Sequence, residues 1–463
     1  MTLSRLVARR AATLAGRGLP DHVAQAARLH LLDALGVGLT ASASAVGRPY
    51  RHLAAETARG GAASVFGQVT GAAPADAALV NGGLIHSLEY DDTHTGSIVH
   101  GSAVLAPAAL AAAEAAGAGG QALLAAYALG WEVLVRIGLA APGAFQARGF
   151  QVTSAGGALA AALVAALLGG LDEDRTVAAL GIALSQASGV FEFLSNGASV
   201  KSLHPGWAAH AGLLAARLAA SGMTGPETAL EGRYGLFASF AGDAAAPAGL
   251  AEGLTDLGGA WHLADAAFKL YPCCHYIHPF IEAAALLRER GIAPSDIDRL
   301  TCRVPAGAAP VICEPWPLKQ DPPTPHAARW SLPVVVAMAL HGPVDLESFE
   351  AAIPAPVRAL AARIGWEELP DADFPRAFAA GIVCACADGR QETVRVADVY
   401  GNRSRPADPS RVRAKFRANA GRALEPAAVA RLEAAVDGLG RTTAVADLSA
   451  ALRTVRRAEE QNA

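Results

Sequence analysis

At 463 residues the chain is longer than one compact core of ordinary size, so two domains, or one with a large insertion, are expected. Charged residues make up 17% and hydrophobic residues 52%, less charge than a monomer's surface ordinarily carries, which points to burial in an oligomer. A net charge of -4 argues against a nucleic-acid footprint, which needs clustered Lys and Arg, and six cysteines in so long a chain make no disulfide scaffold, so small-molecule chemistry in a reducing cytoplasm is expected.

Along the chain, Arg5, Arg9, Arg10 and Arg17 precede the first acid, Asp21, as in some transit peptides. No cleavage site or spacer separates them from LPDHVAQAARLHLLDALG, so an amphipathic first helix is expected. From residue 1 to about 265, Ala/Leu-rich stretches with apolar residues three and four apart, broken by Gly and Pro, read as helix after helix. Residues 152–171 carry no charge and could span a bilayer on length alone. Ala and Gly dominate them and Asp172, Glu173 and Asp174 follow, so the reading is a buried core helix and no membrane segment.

After about residue 268 the texture changes. IDRLTCRVP and FAAGIVCACADGRQETVRVADV alternate or run in β-branched residues, and Asp388-Gly389 offers a hairpin turn. Cys384 and Cys386 fall on one face of that strand and read as small core residues. From about 405 helical patterns return in PSRVRAKFRANAG and AAVARLEAAVDGLG. The expected fold is mainly α: a large all-helical domain of residues 1–267 and 405–463 and a smaller α+β domain of residues 268–404.

Eight of the 13 histidines fall in three windows: His86, His94 and His100; His204 and His210; His262, His275 and His278. Histidine changes charge nearest neutral pH. Lysine is rare, at Lys201, Lys269, Lys319 and Lys415 only, and two of these lie in or beside those windows. A compact ammonium donates to a carboxylate and shifts its pKa on burial, which a guanidinium does not readily do.

These residues sit at expected helix starts: His100 before GSAVLAPAAL, Gln151 before TSAGGALAAALVAALL, His204 before Pro205, and His278 before Pro279. Each start is an anion site through its unpaired N–H groups and the helix dipole. If several converge on one pocket, a substrate with two or three carboxylates fits. Glu89, Asp91 and Asp92, beside Thr93 and His94, can orient a histidine or bind a substrate hydroxyl. Asp91, Asp92, His94 and His100 match no compact metal-ligand spacing, so no metal is expected.

Read together, 19–39, NGGLIHSLEYDDTHTGSIVHGSAVLAPAAL at 81–110, VKSLHPGWAAHAGLLAA at 200–216, LEGRYGLFASF at 230–240, KLYPCCHYIHP at 269–279 and ARWSLPVVVAMAL at 328–340 resemble the MmgE/PrpD family over nearly the whole chain. That family includes 2-methylcitrate dehydratase, cis-aconitate decarboxylase and iminodisuccinate epimerase. The resemblance implies a helical domain with an α+β lid, a homodimer, no metal or organic cofactor, and a small di- or tricarboxylate as substrate. By position it implies Asp91 or Asp92, Thr93, His100, Lys201 and one of His275 or His278 as the chemical centre. Lys201 would bind a carboxylate and stabilise a carbanion, and His100 with His278 would move the proton. Asp92, Thr93, Gln151, His204, Lys269 and Tyr271 would hold substrate.

Two positions depart from the family pattern: Gln151 where decarboxylase-like relatives carry His, and Val334 after Pro333 where many relatives have Tyr. The expected activity is dehydration of a hydroxy-polycarboxylate of the 2-methylcitrate type. The alternatives are epimerisation, isomerisation or decarboxylation of a small polycarboxylate, metal-dependent hydrolysis, or non-catalytic carboxylate binding.

Overall fold

A computed structural model of the protein describes residues 1–453. The chain forms two compact units, the first from Met1–Phe191, Val200–Ala266 and the chain from Pro409 on, the second from Glu192–Ser199 and Ala267–Asp408. The sequence reading ran the first domain unbroken to 267. Glu192–Ser199 instead joins the second unit, where Phe193 and Leu194 line a small cavity with Pro315, Leu318 and Trp330.

The first unit is helical. Leu3–Ala15 is the amphipathic first helix expected: Thr2 caps it, and Leu3, Val7, Ala8 and Ala11 are buried. Its Arg5 pairs with Glu173, Asp174 and Glu227, and Arg9 with Glu173. At the centre lies Val152–Leu168, buried at every residue but Leu167 and packed against the helices Gly101–Ala116, Gly120–Ala140, Glu173–Leu184 and Leu203–Ala220. It is the core helix that its uncharged sequence predicts. Among the described residues one helix, Gly120–Ala140, is long and apolar enough to cross a membrane by length and composition, and most of it is buried within the unit.

The abundance of Ala and Gly has a packing reason. A β-carbon on Gly212 would lie 2.5 Å from the Ala161 β-carbon, so Leu203–Ala220 and Val152–Leu168 touch nearly backbone to backbone. The helix Pro74–His86 meets Leu203–Ala220 as closely: a β-carbon on Gly82 would lie 2.7 Å from the Gly206 Cα, and one on Gly206 would lie 2.3 Å from the Leu79 carbonyl oxygen. This crossing brings the end of one helix, at His86, towards the start of the other, at Lys201 and His204.

The second unit is α+β. Its sheet runs in the order β2-β1-β3-β4, with β1 Ile297–Val304, β2 Ile364–Glu368, β3 Ala380–Cys386 and β4 Gln391–Val396. β1 pairs parallel with β2 and antiparallel with β3, and β3 pairs antiparallel with β4. The β3–β4 connection is the expected Asp388-Gly389 turn: Gly389 takes φ 88° and the Asp388 carboxylate accepts from the Arg390 amide. Ile382, Cys384 and Cys386 point to the buried face, in one core with the helices His278–Glu289 and Leu332–His341.

Because rigid backbone faces the Gly206 position, Gly206→Ala is expected to destabilise the protein by about 2 kcal/mol or more. Chemical denaturation of the two proteins measures this, and an unchanged midpoint would mean that the helices can part at no cost.

Candidate active site

Three of the four expected helix starts meet in the first unit. His100 is the N-cap of Gly101–Ala116, Gln151 is the N-cap of Val152–Leu168, and His204 and Pro205 lie in the first turn of Leu203–Ala220. Side chains tie the starts together. The His100 amide donates to Thr153 Oγ1 at 3.0 Å, His204 Nδ1 lies 2.7 Å from Gln151 Oε1, and Ser154 Oγ donates to the His204 carbonyl at 3.2 Å. Three sets of N-terminal N–H groups therefore lie close to one another, with Lys201 just ahead of the third. The fourth start, His278, opens its helix in the second unit.

The loop 87–100 supplies the acidic and hydroxyl groups. It is held in a strained conformation, with Glu89 at φ 52° and Ile98 at φ 55°, each costing about 1 kcal/mol or more, so the surrounding contacts must fix it. Asp91, fully buried, accepts a hydrogen bond from His86 Nδ1 at 2.9 Å and lies 3.8 Å from His100 Nδ1. Asp92 accepts from His30 Nδ1 at 2.8 Å and from the Ser102 amide and hydroxyl, and Ser102 in turn meets the Tyr127 hydroxyl. The sequence reading gave Asp92 to the substrate. In the structure its carboxylate braces the loop, because both oxygens are taken up by buried donors. His94 likewise bonds Ser97 and packs on His262, so Asp91, Asp92, His94 and His100 do not converge as metal ligands would.

His100 Nδ1 lies 3.0 Å from the Asp92 carbonyl and 3.1 Å from Thr93 Oγ1. A carbonyl only accepts, so this pattern puts a proton on Nδ1; in the neutral imidazole the lone pair is then on Nε2, the arrangement of a general base. The ring packs 5.0 Å from that of His86, whose Nε2 is 3.9 Å from Glu89 Oε1. Glu89 in turn holds the buried Lys201 ammonium in an ion pair. A carboxylate thus already sits where Lys201 is expected to receive one. The group joined by these contacts is His100, His86, Asp91, Glu89 and Lys201, with Gln151 and His204 alongside. His86 was only one histidine of a window in the sequence, and Glu89 was read with Asp91 and Asp92 as orienting a histidine or binding a hydroxyl, not as the partner of Lys201. No local pattern shows that a helix crossing will bring Glu89 to Lys201.

In the second unit, His275 and His278 are buried with their rings 4.7 Å apart, and Tyr271 packs edge-on against His278 at 5.2 Å. His278 Nε2 lies 3.3 Å from the Cys273 carbonyl, which assigns a proton to Nε2. His275 packs edge-on against Phe378, and Lys269 is fully buried. Pro333 and Val334 open the helix Leu332–His341, where the Ser331 hydroxyl accepts from the Val334 amide, so Val334 serves the core.

Two family models match the chain, the MmgE/PrpD N-terminal domain over residues 5–248 and the MmgE/PrpD C-terminal domain over residues 271–440. The chain belongs to the MmgE/PrpD family. Among its relatives, cis-aconitate decarboxylase of Homo sapiens is 31% identical over 429 residues, 88% of this chain and 85% of that one. A cis-aconitate decarboxylase-like protein of Aspergillus oryzae is 31% identical over 352 residues, 72% of each chain. Cis-aconitate decarboxylase of Aspergillus terreus is 30% identical over 289 residues, 60% of this chain and 59% of that one.

Burial, and then the charges of His86 and Lys201, push His204 down to about 4. The unfolded imidazole titrates near 6.5. Between those values the unfolded chain takes up a proton that the folded chain refuses, so this group costs stability as pH falls from about 6.5 to about 4. Asp33, raised by burial to about 6, acts in the opposite sense over the same range. His204→Asn is therefore expected to lose less stability than the wild type between pH 7 and about pH 4.5 in urea denaturation. Parallel pH profiles would remove His204 as a source of acid sensitivity.

Proposed function

We propose that this MmgE/PrpD protein is a cofactor-independent lyase that dehydrates a small hydroxy-polycarboxylate of the 2-methylcitrate type. The observation that carries the reading is the meeting of three helix starts around Lys201, beside a histidine whose Nε2 bears the lone pair. An anionic substrate would place one carboxylate on Lys201, displacing or sharing with Glu89, and would direct others to the helix-start N–H groups.

His100 Nε2 then takes the proton from the carbon next to a carboxylate. The C–H electron pair moves into that carboxylate as an enediolate, whose charge the ammonium offsets. As the pair returns to form the alkene, the β-hydroxyl departs. It takes the proton back from His100 and leaves as water, so that the imidazole ends neutral. Asp91, through His86 and beside His100, keeps the local field negative and favours the transient imidazolium.

A second reading is decarboxylation, supported by the names of the relatives. There the C–C bond breaks, carbon dioxide leaves with the bond's carbon retaining the electron pair, and a protonated histidine delivers the proton. Gln151 gives no ionisable group where decarboxylase-like relatives carry His, and its partner His204 is neutral near pH 7, which leaves fewer donors for that final step. The same features favour epimerisation, in which the proton is taken and returned with no leaving group.

Proton NMR in deuterated water, on citrate, 2-methylcitrate, cis-aconitate, malate and aspartate-derived dicarboxylates, separates these reactions. A new alkene without loss of carbon dioxide is expected; deuterium wash-in without an alkene would replace dehydration by epimerisation, and carbon dioxide collected from the headspace in step with substrate loss would replace it by decarboxylation. His100→Asn is expected to lower kcat by roughly 100-fold or more, and Lys201→Ala by a similar factor. Unaltered turnover in either variant would overturn the assigned roles.

A further inference from the structure

The helix Pro409–Ala420 returns from the second unit to pack along Asp21–Ala43, and it seats so closely that a β-carbon on Gly36 would lie 2.9 Å from the Phe416 ring. From it Lys415 reaches the interior of the first unit. Its ammonium lies 2.8 Å from Asp33 Oδ1, donates to the Tyr90 carbonyl at 2.7 Å, and stands 3.9 Å from the centre of the Tyr90 ring. Tyr90 is flanked by Glu89, which carries the left-handed backbone and the Lys201 ion pair, and by Asp91, which holds His86.

We propose that Lys415 is a positioning residue for the candidate active site: through the Tyr90 carbonyl it fixes the 89–91 turn, and so sets where the Glu89 and Asp91 carboxylates lie. The placement explains why lysine stands here in a chain that otherwise favours arginine. One compact group must meet a carboxylate, a carbonyl and a ring face from different directions, and a planar guanidinium does not fit that demand. Asp33 supplies the counter-charge that lets the ammonium remain buried, and Tyr90 is what the ammonium holds. As far as it concerns turnover, this inference rests on the proposed function; as far as it concerns the loop, it does not.

The test compares wild type, Asp33→Asn, and the double variant Asp33→Asn with Lys415→Met, which removes both buried charges together and so leaves no uncompensated carboxylate. Hydrogen exchange of peptides covering 87–100 is read beside the thermal midpoint and the kinetics. In the double variant the loop amides are expected to exchange about tenfold faster or more while core helices such as Val152–Leu168 keep their protection. On a substrate that the wild type turns over, kcat is expected to fall about tenfold or more, with a smaller change in KM. Asp33→Asn alone, which keeps the bond to Tyr90, is expected to leave loop exchange at the wild-type rate.

Wild-type loop exchange in the double variant would overturn the proposal, and so would loop exchange in Asp33→Asn as fast as in the double variant. If the double variant does not fold, Lys415→Arg takes its place: a guanidinium that cannot meet Asp33, the Tyr90 carbonyl and the Tyr90 ring together is expected to speed loop exchange, and exchange at the wild-type rate would overturn the proposal. If the wild type turns over no substrate of the panel, the proposed function fails, and the exchange measurements still decide the role of Lys415.

Discussion

The helices Pro74–His86 and Leu203–Ala220 cross at a distance that only glycine permits, with Gly82 against Gly206. A helix pair with ordinary side chains at the crossing keeps its axes roughly 8–10 Å apart, and bulkier side chains push them further. Here the approach is limited by backbone atoms, and it determines how close the loop leaving His86 comes to Lys201 and His204. Widening the crossing would separate Glu89 from Lys201, an ion pair whose strength depends on distance and burial.

Around that crossing the first unit buries four carboxylates, each with a specific partner. Asp91 has His86, Asp92 has His30 and Ser102, Glu89 has Lys201, and Asp33 has Lys415. In a medium of low effective dielectric an unpaired carboxylate costs several kcal/mol, so these pairings are a condition of folding as much as of chemistry. The Lys201 pairing ties down Glu89, whose backbone lies in a region that non-glycine residues rarely adopt. The loop is preorganised by its neighbours, which is what electrostatic stabilisation of a developing charge requires.

Much of this was legible in the sequence. The uncharged run at 152–171, the amphipathic arginine-bearing start, the Asp388-Gly389 turn and the β-branched texture after 268 each express a local periodicity or turn preference, and each forms the element expected. The placing of His100, Gln151 and His204 at helix starts was readable for the same reason, since caps and first turns have their own residue preferences. The assignment of Asp92 to substrate was not safe. Two adjacent aspartates look alike along a chain, and only the directions of His86, on one side, and His30 with Ser102, on the other, give them different work.

What the sequence determined by itself is therefore local: which stretches are helix or strand, which helix is all core, and which residues stand where a helix begins. Tertiary structure decided the pairings, namely Glu89 with Lys201 across 112 positions, Lys415 with Asp33 across 382, and the joining of Glu192–Ser199 to the second unit. The reason is physical. Propensity and periodicity act over a few residues, whereas the partner of a buried charge is fixed by how closely two backbones approach, and here that is set by glycines which carry no charge at all.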